Sequence, residues 1–415
     1  MLDHYNTERI FSEYKKDYER VAAINDYIMI TQYDISWRDD LFREEGFYSI
    51  AQCIEFKRNY YSVVVAGQKK SWVLCSDKQM VFTIEEKDKF LDEYSKDIYP
   101  LVSVLIPTYN RPKYFEIALK SVLMQTYRNI EIIIGDDSSN DDTQAIVKKY
   151  KKKYPNILYK KNNRRCSTVT ERSYMNYSDV LHRSSGEYIN YLNDDDVFEA
   201  EKIAKMMDYY LQYPNVSLVT SYRKLIDDND RVIFDEKIMT LYPRWEVEKD
   251  TLLRGEIALK NLIMKINFIG EPTTALVRRC DIDNNFGTFS DKSFNCINDL
   301  PQWIQSLKKG DLIYIKEPLS SLRVHSKQKT KELFTQLFFK IDYFYIYLLS
   351  YKEKLISKND FYSVMKFWQK IADISPEMLQ SLKQESKDNR HNEEILNEFL
   401  ALKDKVKYIT NEIIE

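Results

Sequence analysis

The stretch VSVLIPTYNRPKYFEIALKSVLMQTYRNIEIIIGDDSSNDDT, residues 102–143, contains the pattern of a strand, a helix, a second strand and a polar turn. Residues 102–106 are mainly apolar and rich in β-branched side chains, and Pro107 ends them. Residues 113–127 repeat apolar side chains at helical spacing, and a second apolar run then ends in two aspartates. This order predicts two parallel strands joined by a crossover helix.

The same alternation continues along the chain. Residues 156–163 predict a third strand, a helix follows, and residues 188–192 predict a fourth strand. We therefore predict an α/β fold with an open, mostly parallel sheet. Three polar runs follow strand ends: PTYN (107–110), DD (136–137) and NDDD (193–196). Open sheets of this kind bind ligands at the carboxyl edge of their strands, so we expect these runs to lie close together.

The composition excludes several classes of protein. The chain has 415 residues and a net charge of −2, which gives no general attraction to nucleic acid. Its 5 cysteines show no Cys-x-x-Cys spacing, so we expect a reducing cytoplasm. No apolar run is long enough to cross a membrane. The longest, residues 343–351, predicts a buried helix face.

Three regions differ in pattern. Residues 1–97 predict a mixed α/β accessory segment, with a hairpin between residues 60–67 and 71–76. Residues 98–330 predict an α/β domain, and residues 331–415 predict a charged helical region.

The acidic run Asn193-Asp194-Asp195-Asp196 follows a strand with a core-like sequence. Adjacent carboxylates repel one another unless a cation lies between them, and Mg²⁺ or Mn²⁺ prefers such oxygen ligands together with phosphates. Side chains alternate along an extended chain, so we expect Asp194 and Asp195 to point to opposite sides, one toward a nucleoside sugar and one toward a metal. A solvated loop or a helix cap is the competing interpretation for Asp196.

Residues 102–143, GEYINYLNDDDVF (186–198), IGEPTTALVRR (269–279) and NDLPQWIQSLKKGDLIYIKEPLSSLRVHS (298–326) together resemble glycosyltransferase family 2 over about residues 98–330. The resemblance implies a GT-A fold. It also implies an inverting transfer of a sugar from a nucleotide-sugar donor, usually with a divalent metal. The chain has Asn193 where the family's Asp-x-Asp motif begins with Asp.

The resemblance implies roles for individual residues. Pro107, Thr108, Tyr109 and Asn110 are expected to bind the donor, with Thr108 and Tyr109 at the base and ribose. Further donor contacts are expected from Asp137 to uracil, from Asp194 to the ribose, from Arg323 to phosphate, and from Arg172. Lower-ranked candidates are residues 162–165.

Asp195 and His325 are expected to bind Mn²⁺ or Mg²⁺. Asp299 matches the base that takes a proton from the acceptor hydroxyl. Asp299 also fits a helix N-cap before Leu-Pro, and both roles can hold together. Trp303 is expected to lie in the core.

Two other functions share parts of this pattern. A nucleotidyltransferase uses paired Asp and Mg²⁺, but its glycine-rich phosphate loop has no counterpart in PTYNRPKYF. A non-catalytic binding protein would have no need to keep Asp194, Asp195, Asp299 and His325 together.

The expected donor is a UDP-sugar, and the acceptor is left open between saccharide, lipid-linked and polypeptide molecules. We expect a cytoplasmic protein in bacterial surface polysaccharide or glycoconjugate synthesis. It would act on soluble or membrane-surface acceptors from the cytoplasmic side, with peripheral contact at the inner face of the membrane in the second case. The terminal segments are expected to bind acceptor, a partner or a second copy of the chain.

Overall fold

The structure is a computed structural model that describes most of the chain from residue 99 onward and short pieces before it. The described residues are 18–20, 54–55, 58, 64–66, 89–90, 92–96, 99–164, 166, 169–236, 239, 245, 247–265, 267–283, 285–325, 333–387 and 389–411.

The chain divides into two compact units, Met1–Pro100 and Leu101–Glu415. In the first unit, strand β1 (Tyr18–Arg20) pairs antiparallel with β2 (Val64–Ala66). β2 falls within the first half of the predicted hairpin, whereas residues 71–76 of its second half lie outside the described residues.

The second unit is built on a nine-stranded sheet with the order β5-β4-β3-β6-β10-β8-β13-β7, in which β9 pairs with β13. Its strands are β3 (Val102–Thr108), β4 (Ile130–Asp136), β5 (Ile157–Lys161), β6 (Tyr188–Tyr191), β7 (Val197–Phe198), β8 (Val216–Ile226), β9 (Thr251–Leu253), β10 (Leu276–Arg278) and β13 (Asp311–Arg323). A separate hairpin joins β11 (Thr288–Phe289) and β12 (Lys292–Ser293).

The four strands predicted from the first half of this unit are all present and parallel to one another, in the order β5-β4-β3-β6. All seven residues of β3 are buried, which matches its nearly continuous apolar sequence. β8 and β13 form another long parallel pair, while the antiparallel pairs are short. The predicted α/β class with a mostly parallel sheet is therefore confirmed.

Six helices lie between these strands among the described residues. They are α1 (Pro112–Leu123), α2 (Asp142–Lys151), α3 (Val169–His182), α4 (Lys202–Gln212), α5 (Gly255–Met264) and α6 (Leu300–Leu307). α1 and α6 both carry a proline in their first turn, where the missing N–H costs no hydrogen bond.

The chain ends in four helices that pack on one another. They are α7 (Leu333–Lys352), α8 (Lys358–Ile371), α9 (Pro376–Ser386) and α10 (Arg390–Asn411). Their buried side chains, including Phe344 and Trp368, belong to the same apolar core as Tyr191 of the sheet and Trp303 of α6. The predicted helical region is confirmed, and residues 343–351 bury one face as expected. None of the described helices is long and apolar enough to cross a membrane.

Candidate active site

The acidic run after β6 folds into a tight turn, in which the Asp196 N–H donates to the carbonyl of Asn193 at 3.1 Å. The expectation that Asp194 and Asp195 point to opposite sides of an extended chain is therefore wrong. Both carboxylates reach the same nitrogen, Nη1 of Arg111, at 3.1 Å and 2.6 Å. A turn places successive side chains on one side, whereas a strand would separate them.

Asp194 is held by the end of β3. Its Oδ2 accepts hydrogen bonds from the Thr108 hydroxyl at 2.9 Å and from the Tyr109 N–H at 3.1 Å. Burial raises the pKa of Asp194 to about 6, and the adjacent Asp195 charge adds to the rise, while Arg111 opposes it. The strand ends β3 and β6 thus meet at this carboxylate, as the predicted sheet edge requires.

Asp195 lies between two nitrogen-bearing side chains. Its Oδ2 is 3.1 Å from Nε2 of His325 and 2.6 Å from Nη1 of Arg111. Two ligands of an octahedral ion, each about 2.1 Å from the metal, lie about 3 Å apart, so the Asp195–His325 pair fits such a cation. Within the described ranges no group of three or more acidic, histidine or cysteine side chains could hold an ion. Phosphate oxygens are further ligands that such an ion takes.

Asp196 is fully buried, and its carboxylate is hydrogen-bonded to other parts of the protein. Its carboxylate accepts from the Thr273 hydroxyl at 2.5 Å, from the Asn193 amide at 3.0 Å and from the Arg323 N–H at 3.0 Å. Asp196 is therefore neither a solvated loop residue nor the N-cap of α4, which is Glu201.

Arg323 is also buried, and its guanidinium donates to the carbonyls of Asp195 at 2.9 Å and Asp227 at 2.6 Å. A further ion pair joins it to Asp230 at 2.5 Å. These contacts place Arg323 behind the acidic turn, where it supports the Asp195 backbone.

Asp137, at the end of β4, has one carboxylate oxygen with hydrogen-bonding and ionic partners and one that no donor in the described part of the chain reaches. Oδ1 accepts from the Asn162 amide at 2.8 Å and lies 3.4 Å from Nε of Arg164. Oδ2 is buried, and no hydrogen-bond donor among the described residues reaches it. Burial raises the pKa of Asp137, which Asn162 and Arg164 oppose. An unpaired buried acceptor of this kind suits a ligand N–H group.

Tyr109 and Arg172 form a stacked pair beside Asp137, with the guanidinium carbon 4.7 Å from the ring centroid. Asn110 has φ 55°, and its Oδ1 accepts from the Ser139 N–H at 2.9 Å. The Asn110 side chain thus joins the PTYN run to the turn after β4. Of the lower-ranked run, Asn162 and Arg164 contact Asp137, and Arg165 lies outside the described residues.

Asp299 is the N-cap of α6, and its Oδ1 accepts from the Leu300 N–H at 3.0 Å. Its Oδ2 accepts from the Asn267 amide at 2.9 Å. Burial raises the pKa of Asp299 to about 7, and the nearby Glu271 charge contributes. Glu271 itself pairs with Nε of Arg223 at 2.7 Å. Trp303, one turn later, is buried in the core as predicted.

One cavity of about 550 Å³ collects most of these groups. Of the residues predicted from the sequence, its lining contains Pro107, Thr108, Tyr109, Asp137, Arg172, Asp194, Asp195 and Asp299. Asn110, Arg323 and His325 stand outside the lining, and His325 reaches the site through Asp195.

The sequence reasoning missed Arg111 and the contribution of helix α7. Arg111 had a visible signal, since it directly follows PTYN at the same sheet edge. Phe339 and Tyr343 of α7 line the cavity beside Asp299, whose charge adds to the burial that raises the pKa of Tyr343 to about 12. Between them, Oδ2 of the fully buried Asp342 accepts N–H groups of the loop before Asp299, from Asn295 at 2.9 Å and Cys296 at 2.7 Å. No local sequence pattern predicts these contacts.

Comparison with known proteins identifies the family of this chain. The sequence model described as "Glycosyl transferase family 2" matches residues 103–283, and one described as "Glycosyltransferase like family" matches residues 2–94. The chain is 30% identical over 240 residues to RT0329, an uncharacterized glycosyltransferase of Rickettsia typhi. The aligned region covers 57% of this chain and 68% of that relative.

Two further proteins are similar to this chain. The putative teichuronic acid biosynthesis glycosyltransferase TuaG of Bacillus subtilis is 27% identical over 231 residues, covering 54% of this chain and 79% of that protein. The crystal structure of S. aureus TarS 1–349 in complex with UDP-GlcNAc is 17% identical, covers 72% of this chain and 71% of that chain, and has a TM-score of 0.43. The match to RT0329 and the family model establish that this chain belongs to glycosyltransferase family 2 and is a glycosyltransferase with an α/β fold.

Proposed function

We propose that this glycosyltransferase moves a sugar from a UDP-sugar to an acceptor hydroxyl, with inversion at the anomeric carbon and with Mn²⁺ or Mg²⁺. One observation carries the proposal. A single cavity is lined by the acid pair Asp194 and Asp195, by Asp137 with its unpaired oxygen, and by Asp299, whose pKa of about 7 suits a base.

The donor half of the site comes from the ends of β3, β4 and β6. In the proposal, Oδ2 of Asp137 accepts the N–H of uracil, and the stacked Tyr109–Arg172 pair lies along the nucleoside. Asp194 accepts from the ribose hydroxyls, because Thr108 and Tyr109 already fix its position.

Asp195 and His325 are the two proposed protein ligands of the metal. When bound, the metal neutralises charge that develops on the leaving diphosphate. Arg323 holds the Asp195 carbonyl and so fixes the side chain that would bind the ion. We therefore assign Arg323 a positioning role, in place of the expected phosphate contact.

Asp299 is the proposed base. Inversion requires one carboxylate on the acceptor side, which takes the hydroxyl proton as the oxygen attacks the anomeric carbon. Asn267 and the Leu300 N–H hold the Asp299 carboxyl in one orientation. A carboxyl with a pKa of about 7 is substantially ionised at neutral pH and is a stronger base than an ordinary Asp.

The acceptor side is lined by Phe339 and Tyr343 of α7, so we propose that residues 331–415 take part in acceptor binding. The name of TuaG refers to teichuronic acid biosynthesis, which supports a saccharide or lipid-linked acceptor in bacterial surface-polysaccharide synthesis. We also propose that the protein acts in the cytoplasm. The glycosyltransferase domain is proposed to span residues 98–330, between the segments 1–97 and 331–415.

The test is a panel of nucleotide sugars with Mn²⁺, measured by thermal stabilisation and by release of the nucleotide. We expect one UDP-sugar to stabilise the protein and to be hydrolysed slowly in a reaction that EDTA stops. Asp195→Ala should lose the response to Mn²⁺. Asp299→Asn should still be stabilised by donor and should lose turnover.

Asp360→Ala is the matched control, because it removes a partly exposed carboxylate in the first turn of α8, outside the cavity. The proposal fails if turnover persists in EDTA or in Asp299→Asn, or if the panel response of Asp195→Ala equals that of Asp360→Ala.

A further inference from the structure

Arg111 occupies an unusual place in the site. It is the residue before α1, and its Nη1 contacts both Asp194, at 3.1 Å, and Asp195, at 2.6 Å. Its side chain is 31% exposed, whereas the two carboxylate side chains are only 8% and 12% exposed. The acids are therefore the fixed members of this cluster, and the guanidinium is the member with room to move.

Arg111 and the metal need the same oxygen. Oδ2 of Asp195 lies 2.6 Å from Nη1 of Arg111 and 3.1 Å from Nε2 of His325. A guanidinium and a divalent ion on one carboxylate oxygen would repel each other strongly at partly buried positions. The Arg111–Asp195 contact and a metal ion on the same Asp195 oxygen therefore exclude each other.

The formal charges of the cluster show how a metal ion without donor would change its net charge. Asp194, Asp195 and Arg111 together carry one net negative charge. A divalent ion would leave the cluster with a net positive charge, and a diphosphate would reverse it. A guanidinium also pairs with phosphate oxygens through its planar fork, so the diphosphate offers Arg111 a new partner.

We propose that Arg111 holds the acid pair of the free protein and transfers to the donor diphosphate when the metal takes Asp195. This inference rests on the proposed function and adds a regulation of the same site. Its consequence is thermodynamic coupling: the metal binds weakly without donor, and each ligand raises the affinity for the other.

The experiment measures Mn²⁺ binding directly, by the loss of the free Mn²⁺ signal in electron paramagnetic resonance, with and without UDP. Wild type should bind Mn²⁺ weakly alone and about tenfold or more tightly with saturating UDP. Arg111→Met should bind Mn²⁺ alone about tenfold more tightly than wild type, because a competing cation is gone. UDP should then raise the Mn²⁺ affinity less than it does in wild type, because only the added phosphate ligands still favour binding.

Three further variants complete the design. Arg111→Lys keeps the charge and should resemble wild type, and Asp195→Asn should lose Mn²⁺ binding with or without UDP. Arg111→Gln removes the charge but keeps an amide donor for the acids, and it replaces Arg111→Met if that protein does not fold.

The outcomes separate the two ideas. If Mn²⁺ and UDP bind cooperatively and the uncharged variants show the same Mn²⁺ affinity and the same coupling as wild type, the role of Arg111 is overturned while the proposed function stands. If Mn²⁺ binds to none of the proteins, with or without UDP, the metal-dependent function fails and this inference fails with it.

Discussion

Replacing the proposed base should stabilise the protein at alkaline pH while it removes turnover. In the folded chain Asp299 has a pKa of about 7, against an ordinary value of 3.8, because burial disfavours its ionised form. Between these two pH values the folded state binds more protons than the unfolded state, so stability falls as pH rises. Asp299→Asn cannot ionise and should lack this loss.

The size of the expected loss in unfolding free energy follows from the pH interval in which Asp299 is ionised in the unfolded state but still protonated in the folded state. Between pH 5 and pH 8.5 the unfolded carboxyl is ionised throughout, while the folded one keeps its proton until about pH 7. That interval of about two pH units corresponds to about 3 kcal/mol at 1.36 kcal/mol per unit. Asp299 is only partly buried, so we reduce the expected effect to about 2 kcal/mol.

The assay is urea unfolding of wild type and Asp299→Asn at both pH values, in EDTA and without nucleotide. The free energy of unfolding of the variant minus that of wild type should increase by about 2 kcal/mol from pH 5 to pH 8.5. Asp360→Asn is the control: a hydrogen bond from Lys260 lowers the pKa of Asp360, so its carboxylate stays ionised over this range. An equal difference at both pH values would refute the assignment of a raised pKa to Asp299.

Three other predictions test neighbouring contacts. The rate at saturating donor should rise with pH along a curve with an apparent pKa of about 7, and Glu271→Gln should move this curve to lower pH because Glu271 helps raise the pKa of Asp299. Asp342→Leu should lower the free energy of urea unfolding by about 3 kcal/mol, because it removes the buried acceptor of two partly buried N–H groups, and should impair turnover while calorimetry shows unchanged UDP binding. Gly135→Ala should cost about 1–3 kcal/mol in the same unfolding assay and should weaken UDP binding, since its Cβ would lie 2.1 Å from Oδ1 of Asn176.

The strands and their shared edge were predictable because local periodicity encodes them. Each of the four strands β3 to β6 lies where an apolar run predicted a strand. Parallel pairing of β3 with β4 then brings Thr108 opposite Asp136 at the carboxyl edge of the sheet. The turn at Asp194 and Asp195 was not predictable in the same way. It depends on Thr273 and on the backbone of Arg323, which bind Asp196 from distant parts of the chain.

The environment of Asp299 shows the same division. Its place at a helix start was readable from the following Leu-Pro, and the structure confirms the N-cap. Its contact with Asn267 and the nearby α7 side chains was not readable, because tertiary packing alone brings them together. Arg323 was expected to face phosphate, yet its guanidinium is buried against the Asp227 and Asp230 turn.

The long strand β13 limits how the length of this chain can vary. It begins four residues after the end of α6, the helix that Asp299 caps, and it ends at Arg323, two residues before His325. Side chains alternate between faces along a strand, so deleting one residue would turn every later side chain over. Arg323 and His325 would then leave Asp195. The irregular pairing around Pro318 is the place where an added residue could be absorbed. Relatives that keep both ends of this site should therefore differ in the composition of β13 more freely than in its length.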